Sequence, residues 1–409
     1  MKSFFSPNQT KSKTRPGGKT YSCASCGLHQ YVLTPKMQPF GDFKKGILNI
    51  GEAPGEDEDK KGKQWQGKMG RALRKMYEQL GIDLFEDCLN INSVNCRPTS
   101  TDGNNRTPTD YEIACCRKHV LKVINQYQPN VVILLGGSAA VKSIIGSQWQ
   151  DDLGGITRWR GWTIPDRELM TWICPTFHPS YIERQDSEVT NLIWKQDLER
   201  AIKLAKNPPK IDTKDHIKYV EIVTQKRVSM VLEKLQKNGK PISIDIETTG
   251  LKPYASGHKI VCIALCNRRN KSYVIPSPTG LDADFLRQIL EDERISKIAA
   301  NMKFEDTWFK VIYGVNTKGW EWDTMQAAHV LDNRPGISGL KFQTYARFGV
   351  AGYDESTNKY LKGKDKKNSN SFNRVEETDQ EELMTYCGLD ALYTYRLAML
   401  QKRKIDANS

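Results

Sequence analysis

Two carboxylates separated by one residue are the strongest chemical signal in the sequence. Asp245 and Glu247 lie in the stretch S-I-D-I-E-T-T-G, residues 243–250, where apolar and polar residues alternate. This alternation predicts a half-buried strand, on which side chains two residues apart share a face. Neighbouring carboxylates repel each other and lose hydration, and a cation between them relieves both effects. The pattern therefore indicates a cation site; the competing interpretation is an exposed acidic edge strand.

Further polar groups follow in the second half of the chain. Asn301 and Glu305 lie at the start of a predicted helix, where ordinary capping by Asn301 is the alternative interpretation. Tyr386 and Asp390 are four residues apart in the last predicted helix, about 378–402, and therefore share one face. Because every candidate ligand is an oxygen, the set favours Mg²⁺ or Mn²⁺ over zinc.

The order D-x-E, N-x-x-x-E and Y-x-x-x-D resembles the DEDDy 3′–5′ exonucleases, most of all the proofreading domain of family A DNA polymerases. The resemblance covers about residues 216–402 and implies a ribonuclease-H-like fold that hydrolyses phosphodiesters with two Mg²⁺ (or Mn²⁺) ions. It implies that Tyr386 orients the water and that Asn301 contacts substrate. It implies four metal ligands: Asp245, Glu247, Glu305 and Asp390. The family usually has Asp where this chain has Glu305, so Asp306 is the alternative ligand.

Cysteines in the first half suggest a second metal centre. Cys23 and Cys26 form a C-x-x-C pair, and Cys96 with one of the adjacent Cys115 and Cys116 completes four thiols. Four thiolates suit an iron–sulfur cluster or zinc, and composition does not separate the two. The alternative is that all are unligated core cysteines.

Two loops of the first half carry side chains suited to a nucleobase. Trp65 lies on a polar loop between Gly62 and Gly67, which predicts stacking on a base rather than a place in the core. His178, in P-T-F-H-P-S, follows a predicted strand and is expected to be exposed and oriented by the proline-bounded loop. The alternatives are a tryptophan at the edge of the core and a structural histidine.

Five motifs in order resemble the iron–sulfur class, family 4, of uracil-DNA glycosylases: C-x-x-C, G-E-A-P-G-x-x-E-D, N-x-x-x-C-R-P, N-R-x-P-x-x-x-E-I-x-x-C and H-P-S. The resemblance covers roughly residues 20–205 and implies a three-layer α/β/α fold that removes uracil from DNA. It implies a [4Fe–4S] cluster on four ligands: Cys23, Cys26, Cys96 and Cys116.

The same resemblance implies roles in the base pocket. Asn92 would read the polar edge of uracil, Trp65 takes the place of a stacking Phe, and His178 would bond the uracil carbonyl. Glu52 would position or activate water. The sequence departs from the family at Gln64-Trp65-Gln66-Gly67 and in a polar insertion at 100–104.

Composition agrees with a nucleic-acid partner. The 409-residue chain has 61 Lys and Arg against 48 Asp and Glu, a net charge of +13. No apolar run is long enough to cross a bilayer, and the basic, polar N-terminus does not resemble a signal peptide. The expected location is the cytoplasm of a bacterial or virus-infected cell.

The organisation predicted from these patterns is an α/β protein of two domains. A basic arm at 1–20 precedes a glycosylase-like domain at 21–206, a linker at 207–215 that contains Pro208-Pro209, and an exonuclease domain at 216–409. The predicted function is a DNA-processing enzyme with both activities, working with a DNA polymerase on a separate chain. One alternative is a silent DNA- or polymerase-binding first half beside an active exonuclease; another is a binding protein with both sites dead.

Overall fold

A computed structural model describes residues 21–149, 152–365, 367–368 and 370–407. The described chain divides into two compact units. The first contains residues 21–213 and Tyr345–Ala351, and the second contains Lys214–Thr344 and residues 352–407. The predicted arm at 1–20 lies outside the described residues.

The first unit contains a five-stranded sheet. Its strands are β1 Ile47–Gly51, β2 Cys88–Asn92, β3 Val131–Leu135, β4 Ile164–Asp166 and β5 Thr171–Thr176, in the order β2-β1-β3-β5-β4. All neighbours are parallel except β4, which is an antiparallel edge strand. Its helices are α1 Cys23–Cys26, α2 Glu56–Lys61, α3 Lys68–Gln79, α4 Asp110–Tyr127, α5 Lys142–Gln148, α6 Ile156–Trp159, α7 Pro179–Gln185 and α8 Glu188–Leu204.

The parallel strands of this sheet are apolar on both faces. Ile47 and Val131 pack into a cluster with Leu73 of α3 and Leu198 of α8. The residues that follow them in the strands point to the other face and are also fully buried, as Val132 illustrates. Burial of both faces is typical of a parallel sheet covered by helices on each side, so the predicted α/β architecture is confirmed for this unit.

The second unit contains a six-stranded mixed sheet. Its strands are β6 Val220–Ile222, β7 Ile242–Thr248, β8 Ile260–Arg268, β9 Lys271–Pro276, β10 Lys297–Ala299 and β11 Trp320–Asp323, in the order β11-β10-β7-β8-β9-β6. Its helices are α9 Val228–Asn238, α10 Gly280–Glu291, α11 Met302–Tyr313, α12 Thr324–Leu331, α14 Asn358–Leu361 and α15 Gln380–Asp406. Helix α13 Leu340–Phe348 begins in this unit, and its residues from Tyr345 onward belong to the first unit. Strand β7 is central, so the alternative interpretation of an exposed acidic edge strand is wrong.

Side chains alternate along β7, so that one face of the strand packs in the core and the other carries the candidate catalytic acids. Ile242, Ile244 and Ile246 join the core cluster that also contains residues of α9, α10 and α11. The intervening side chains point to the opposite face, where α15 lies; there Ser243 Oγ donates a hydrogen bond of 2.7 Å to the carbonyl of Ala391. The fold therefore directs Asp245 and Glu247 toward the last helix.

One glycine allows α15 to lie close to the sheet. A Cβ at Gly388 would stand 2.4 Å from Val220 Cγ1 and 2.7 Å from Val274 Cγ2. Glycine in a helix interior costs about 1 kcal/mol relative to alanine, and here the missing methyl lets the helix approach β6 and β9. Among the helices of the described ranges, none has the length and apolarity needed to cross a bilayer.

Candidate active sites

The acidic site of the second unit forms where β7 meets α15. Carboxylate oxygens of Asp245 and Glu247 and the sulfur of Cys387 all lie within 4.8 Å of one another. Cys387 Sγ also contacts the Asp245 carbonyl at 3.6 Å, which fixes the register of α15 against β7. Tyr386 and Asp390, one turn apart on this helix, are both buried. Strand and helix thus bring two distant motifs to one place.

Helix α11 adds a third acid, and the structure distinguishes the two candidates for it. Glu305 is buried, and its Oε2 has no hydrogen-bond partner within the part of the chain that the structure describes. Burial and then the charge of Asp245 raise the pKa of Glu305 well above its usual range. The side chain of Asp306 instead accepts a hydrogen bond from Trp320 Nε1 at 3.1 Å. Glu305 is therefore the candidate that is buried within reach of the charge of Asp245.

The alternative interpretation of Asn301, that its side chain only caps the helix, is wrong. Asn301 precedes α11 with a left-handed φ of 78°, and its side chain makes no capping hydrogen bond. The carboxylate of Asp323 accepts from the backbone N–H groups of Asn301 and Met302, at 3.1 and 3.0 Å. Because the Asn301 side chain is exposed and not committed to capping, its predicted contact with substrate remains a prediction.

Burial, and after it the crowding of carboxyl groups, determines the electrostatics of this site. Burial, followed by repulsion from Asp390, raises the pKa of Asp245 well above its usual range, and Lys341 opposes the shift. Burial and the charge of Asp245 raise the pKa of Glu247 in the same way. Acids with raised pKa values beside an unpaired buried oxygen, that of Glu305, form a set that a divalent cation would stabilise. The residues therefore fit the predicted metal ions.

Two partners of Asp390 were missed by sequence reasoning. Lys341 of α13 forms an ion pair with Asp390 Oδ1, and the Tyr353 hydroxyl donates to the same oxygen at 2.6 Å. Neither residue belongs to a motif, and both are separated from Asp390 by more than thirty residues. No local pattern identifies such partners, because only the tertiary fold brings them together.

The candidate base site of the first unit lies at the carboxyl ends of its parallel strands. Gly51 and Asn92 end β1 and β2, and His178 follows β5 by two residues. A Cβ at Gly51 would stand 2.5 Å from Asn92 Oδ1 and 3.1 Å from the Trp65 ring. Glu52 accepts a hydrogen bond of 2.5 Å from Ser138 Oγ, in the loop after β3. Ligand sites of α/β sheets lie at this edge.

The expectation that Trp65 is unsuited to the core is wrong. Its side chain is only 5% exposed and belongs to the apolar cluster under α3. Its ring lies 5.9 Å from that of His178, and its Nε1 is buried without a partner among the described residues. Its backbone has a φ of 60°, which is rare for a bulky residue. Although the loop is polar, the indole of Trp65 therefore points inward, toward Asn92 and His178.

The expectation that His178 is exposed is wrong, because its side chain is half-buried, but its own loop does orient the ring. Its Nδ1 accepts a hydrogen bond from the backbone N–H of Ser180 at 3.2 Å. The acceptor nitrogen carries no proton, so the neutral ring has its N–H at Nε2. Burial, followed by the charge of Arg184, lowers the pKa of His178 to about 4. The imidazole is therefore a neutral hydrogen-bond donor near neutral pH.

The four predicted cluster ligands gather around α1 and the start of α4. Backbone N–H groups of Lys36 and Asn95 donate to the sulfurs of Cys96 and Cys116, at 3.2 and 3.5 Å. Burial raises the pKa of Cys116 to about 12, and its thiol also senses the charges of Cys96, Cys26 and Cys23. Cys115 is buried, with its sulfur 4.0 Å from Ser25 Oγ. Hydrogen bonds to sulfur are a feature of iron–sulfur sites.

The cysteine sulfurs are not at the close spacing of a preformed zinc site. Tetrahedral zinc with bonds of about 2.3 Å requires sulfurs about 3.8 Å apart. Among the described residues, no three of the cysteine sulfurs lie within 4.8 Å of one another. Three of these sulfurs would therefore have to move closer together before they could bind one tetrahedral zinc ion.

Comparison with known proteins agrees with the two sites. Residues 38–202 match the family model "Uracil DNA glycosylase superfamily", and residues 219–405 match "3'-5' exonuclease". A Type-4 uracil-DNA glycosylase of Thermotoga maritima is 34% identical over 184 residues, which are 44% of this chain and 87% of that protein. The corresponding protein of Sulfurisphaera tokodaii is 33% identical over 164 residues, 39% of this chain and 70% of that protein.

A DNA polymerase of Bacillus phage SP01 is 26% identical over 355 residues. These are 79% of this chain but 37% of the polymerase, so the chain spans little more than a third of that protein. Among solved structures, Escherichia coli RNase D has 18% identity and a TM-score of 0.35, over 46% of this chain and 45% of that one. The predicted combination of the two families is confirmed by the two family models.

Proposed function

The chain belongs to the uracil-DNA glycosylase superfamily through residues 38–202 and contains a 3′–5′ exonuclease domain at 219–405, and we propose that it both removes uracil from DNA and shortens DNA from the 3′ end. The observation that carries the second activity is the convergence of Asp245, Glu247 and Cys387 atoms within 4.8 Å, beside Tyr386 and Asp390. The glycosylase activity is supported by the neutral, oriented His178 beside Trp65, at the edge of the sheet where Asn92 ends β2.

In the proposed exonuclease reaction, Asp245, Glu247, Glu305 and Asp390 hold two Mg²⁺ or Mn²⁺ ions. When bound, the ions supply a Lewis acid for the attacking water and stabilise the leaving 3′ oxygen. The Tyr386 hydroxyl orients the water, and because burial and the charge of Asp390 raise the pKa of this phenol well above its usual range, it stays protonated. Water adds to phosphorus, the bond to the 3′ oxygen breaks, and a nucleoside 5′-monophosphate leaves.

The test of this reaction is digestion of a 5′-labelled single strand. Wild type is expected to shorten the strand from its 3′ end with Mg²⁺, and Asp245→Ala to abolish shortening. Digestion that persists in the variant would contradict the assignment, because Asp245 lies at the centre of the acid set.

In the proposed glycosylase reaction, a flipped uracil enters the edge formed by β1, β2 and β5. The Asn92 carboxamide pairs with the polar edge of the base, and Trp65 packs against its face. The Nε2–H of His178 donates to a carbonyl oxygen as the base leaves as an anion, which a neutral donor stabilises. Glu52, held by Ser138, positions the water that adds to C1′ of the sugar.

The proposed [4Fe–4S] cluster is structural and is held by Cys23, Cys26, Cys96 and Cys116. When bound, it cross-links the N-terminal loop to the start of α4. We expect Cys116→Ser to lose the broad absorbance near 400 nm and Cys115→Ser to keep it. Metal analysis that finds zinc in a colourless protein, or retention of colour in Cys116→Ser, would contradict this ligand set.

A second candidate function is a silent base site that serves only to bind DNA or a polymerase. It is favoured by the burial of Trp65, whose ring stands against Gly51 and near Asn92, where a base would enter. Release of uracil from single- and double-stranded DNA discriminates: no release by wild type, with normal DNA binding, supports the silent site.

The proposed context is DNA replication, with proofreading as the role of the exonuclease. The support is the match to a phage DNA polymerase, because the 355 matched residues are more than either half of this chain contains. The glycosylase-like half would anchor the exonuclease on the template of a polymerase. Co-sedimentation with a primer–template and a phage-type polymerase tests this role.

A further inference from the structure

A lysine lies inside the acid set of the second unit. The Lys341 side chain is 24% exposed, and its Nζ forms an ion pair with Asp390 Oδ1. The same ammonium lies 4.1 Å from the ring centroids of both Tyr353 and Tyr386. Because the two aromatic rings and a carboxylate contact one ammonium group, its position is fixed on three sides.

The contacts of Lys341 leave one oxygen of Asp390 for other ligands. Oδ1 accepts from both Lys341 and the Tyr353 hydroxyl. A divalent ion that approaches Asp390 therefore meets Oδ2 first, or has to displace the ammonium from Oδ1. The lysine thus competes with a cation for the carboxylate that it orients.

The charge of Lys341 extends beyond Asp390. It lowers the pKa of Asp245 and of Glu247, against the larger raising effects of burial and of neighbouring acids. Two divalent ions would balance the charge of the four acids of the proposed site when all four are ionised, and the lysine adds one positive charge. A phosphodiester carries one negative charge, so the net charge of the metal-loaded site with Lys341 is opposite and equal to that of the substrate group.

We propose that Lys341 is a positioning residue of the exonuclease, a built-in cation that weakens metal binding while it orients Asp390 and attracts the phosphodiester. This inference rests on the proposed exonuclease function and deepens it. According to this proposal, the Lys341 side chain weakens metal binding but increases the rate of digestion. A lysine that only supported the fold would change both in the same direction.

The distinguishing variant is Lys341→Met, which keeps the aliphatic chain between the two rings and removes the charge. Loss of a unit charge beside a ligand oxygen is expected to tighten Mn²⁺ binding by about tenfold. The same change is expected to raise KM for a DNA strand and to lower kcat/KM by about tenfold. Lys341→Arg retains the charge and is expected to keep Mn²⁺ affinity close to that of wild type.

A matched control separates the charge from the hydrogen bond on the same oxygen. Tyr353→Phe removes the 2.6 Å hydrogen bond to Asp390 Oδ1 but keeps an aromatic ring under the ammonium. If the charge determines metal affinity, this variant does not tighten Mn²⁺ binding. If Tyr353→Phe increases Mn²⁺ affinity as much as Lys341→Met does, the increase comes from freeing Asp390 Oδ1 and not from removing the charge, and the proposal is overturned.

The experiment is a titration of the full chain with Mn²⁺, without DNA, followed by electron paramagnetic resonance, beside digestion kinetics on the same preparations. Tighter Mn²⁺ binding with slower digestion in Lys341→Met supports the proposal. Unchanged or weaker Mn²⁺ binding overturns it. Failure of the exonuclease itself is separate: wild type would then not shorten DNA, while the Mn²⁺ titration would still decide the effect of the lysine.

Discussion

At the residue scale, the two sites use buried titratable groups in opposite ways. Burial lowers the pKa of His178 to about 4 and keeps the ring neutral. Burial and then the charges of neighbouring acids raise the pKa of Asp245 and of Glu247, and a bound cation would relieve both effects. Neutral donors suit a leaving base, whereas crowded acids suit divalent ions.

The first prediction concerns the pH dependence of uracil release. Because the lowered pKa of His178 is about 4, the ring stays neutral as the pH falls from 8 to 5, and protonates only near 4. Single-turnover release should therefore be nearly constant from pH 8 to 5 and fall below that range. A decline that begins near the ordinary histidine pKa of about 6.5, with the fold intact by circular dichroism, would contradict the assigned state.

The second prediction compares neighbouring acids. Glu305→Gln removes a proposed ligand carboxylate near Asp245 and is expected to weaken metal binding by at least about 10- to 100-fold, the loss seen when a residue that only supports a ligand is changed, with a similar loss of digestion rate. Asp306→Asn keeps an oxygen that can accept from Trp320 Nε1 and is expected to remain within about threefold of wild type. Rates are measured over a Mg²⁺ titration. The reverse ranking would make Asp306 the ligand.

Local sequence patterns identified the catalytic candidates, but they did not identify the residues that contact those candidates. The two-residue period placed Asp245 and Glu247 on one face, and the four-residue spacing placed Tyr386 and Asp390 on another, because both periods are local. Lys341, Tyr353 and Asp323 were missed, since their roles depend on tertiary contacts. The burial of Trp65 was also missed, because its left-handed backbone turns a polar loop inward.

At the element scale, the active face depends on how closely α15 approaches the sheet. The helix carries Tyr386 and Asp390 and is tied to β7 by the hydrogen bond from Ser243 Oγ to Ala391. Gly388 faces Val220 and Val274, where a methyl group has no room. Helix propensity alone disfavours glycine here, so its presence reflects packing rather than helix formation.

The third prediction is that Gly388→Ala destabilises the second unit. Overpacking is expected to cost about 1–3 kcal/mol, which exceeds the gain of about 1 kcal/mol in helix propensity. After heating the full chain, exonuclease activity should be lost at a lower temperature, while the temperature at which uracil release is lost stays unchanged. Adding Val220→Ala should recover part of the loss. Equal thermal inactivation of wild type and Gly388→Ala would contradict the packing argument.

At the scale of the whole molecule, two catalytic units of different chemistry are joined in one basic chain. The order of the two units along the chain was predictable, because each half contains several motifs of its own family. The net charge of +13 agrees with a shared DNA substrate. The account assigns each activity to its own unit, so a change in one site should leave the other activity intact.

The most direct test is a paired assay with Asp245→Ala and His178→Ala, each measured for uracil release and for Mg²⁺-dependent digestion. The account predicts that Asp245→Ala loses digestion and keeps uracil release, and that His178→Ala loses uracil release and keeps digestion. Loss of both activities in either variant, or loss of neither, would contradict the assignment of two separate active sites.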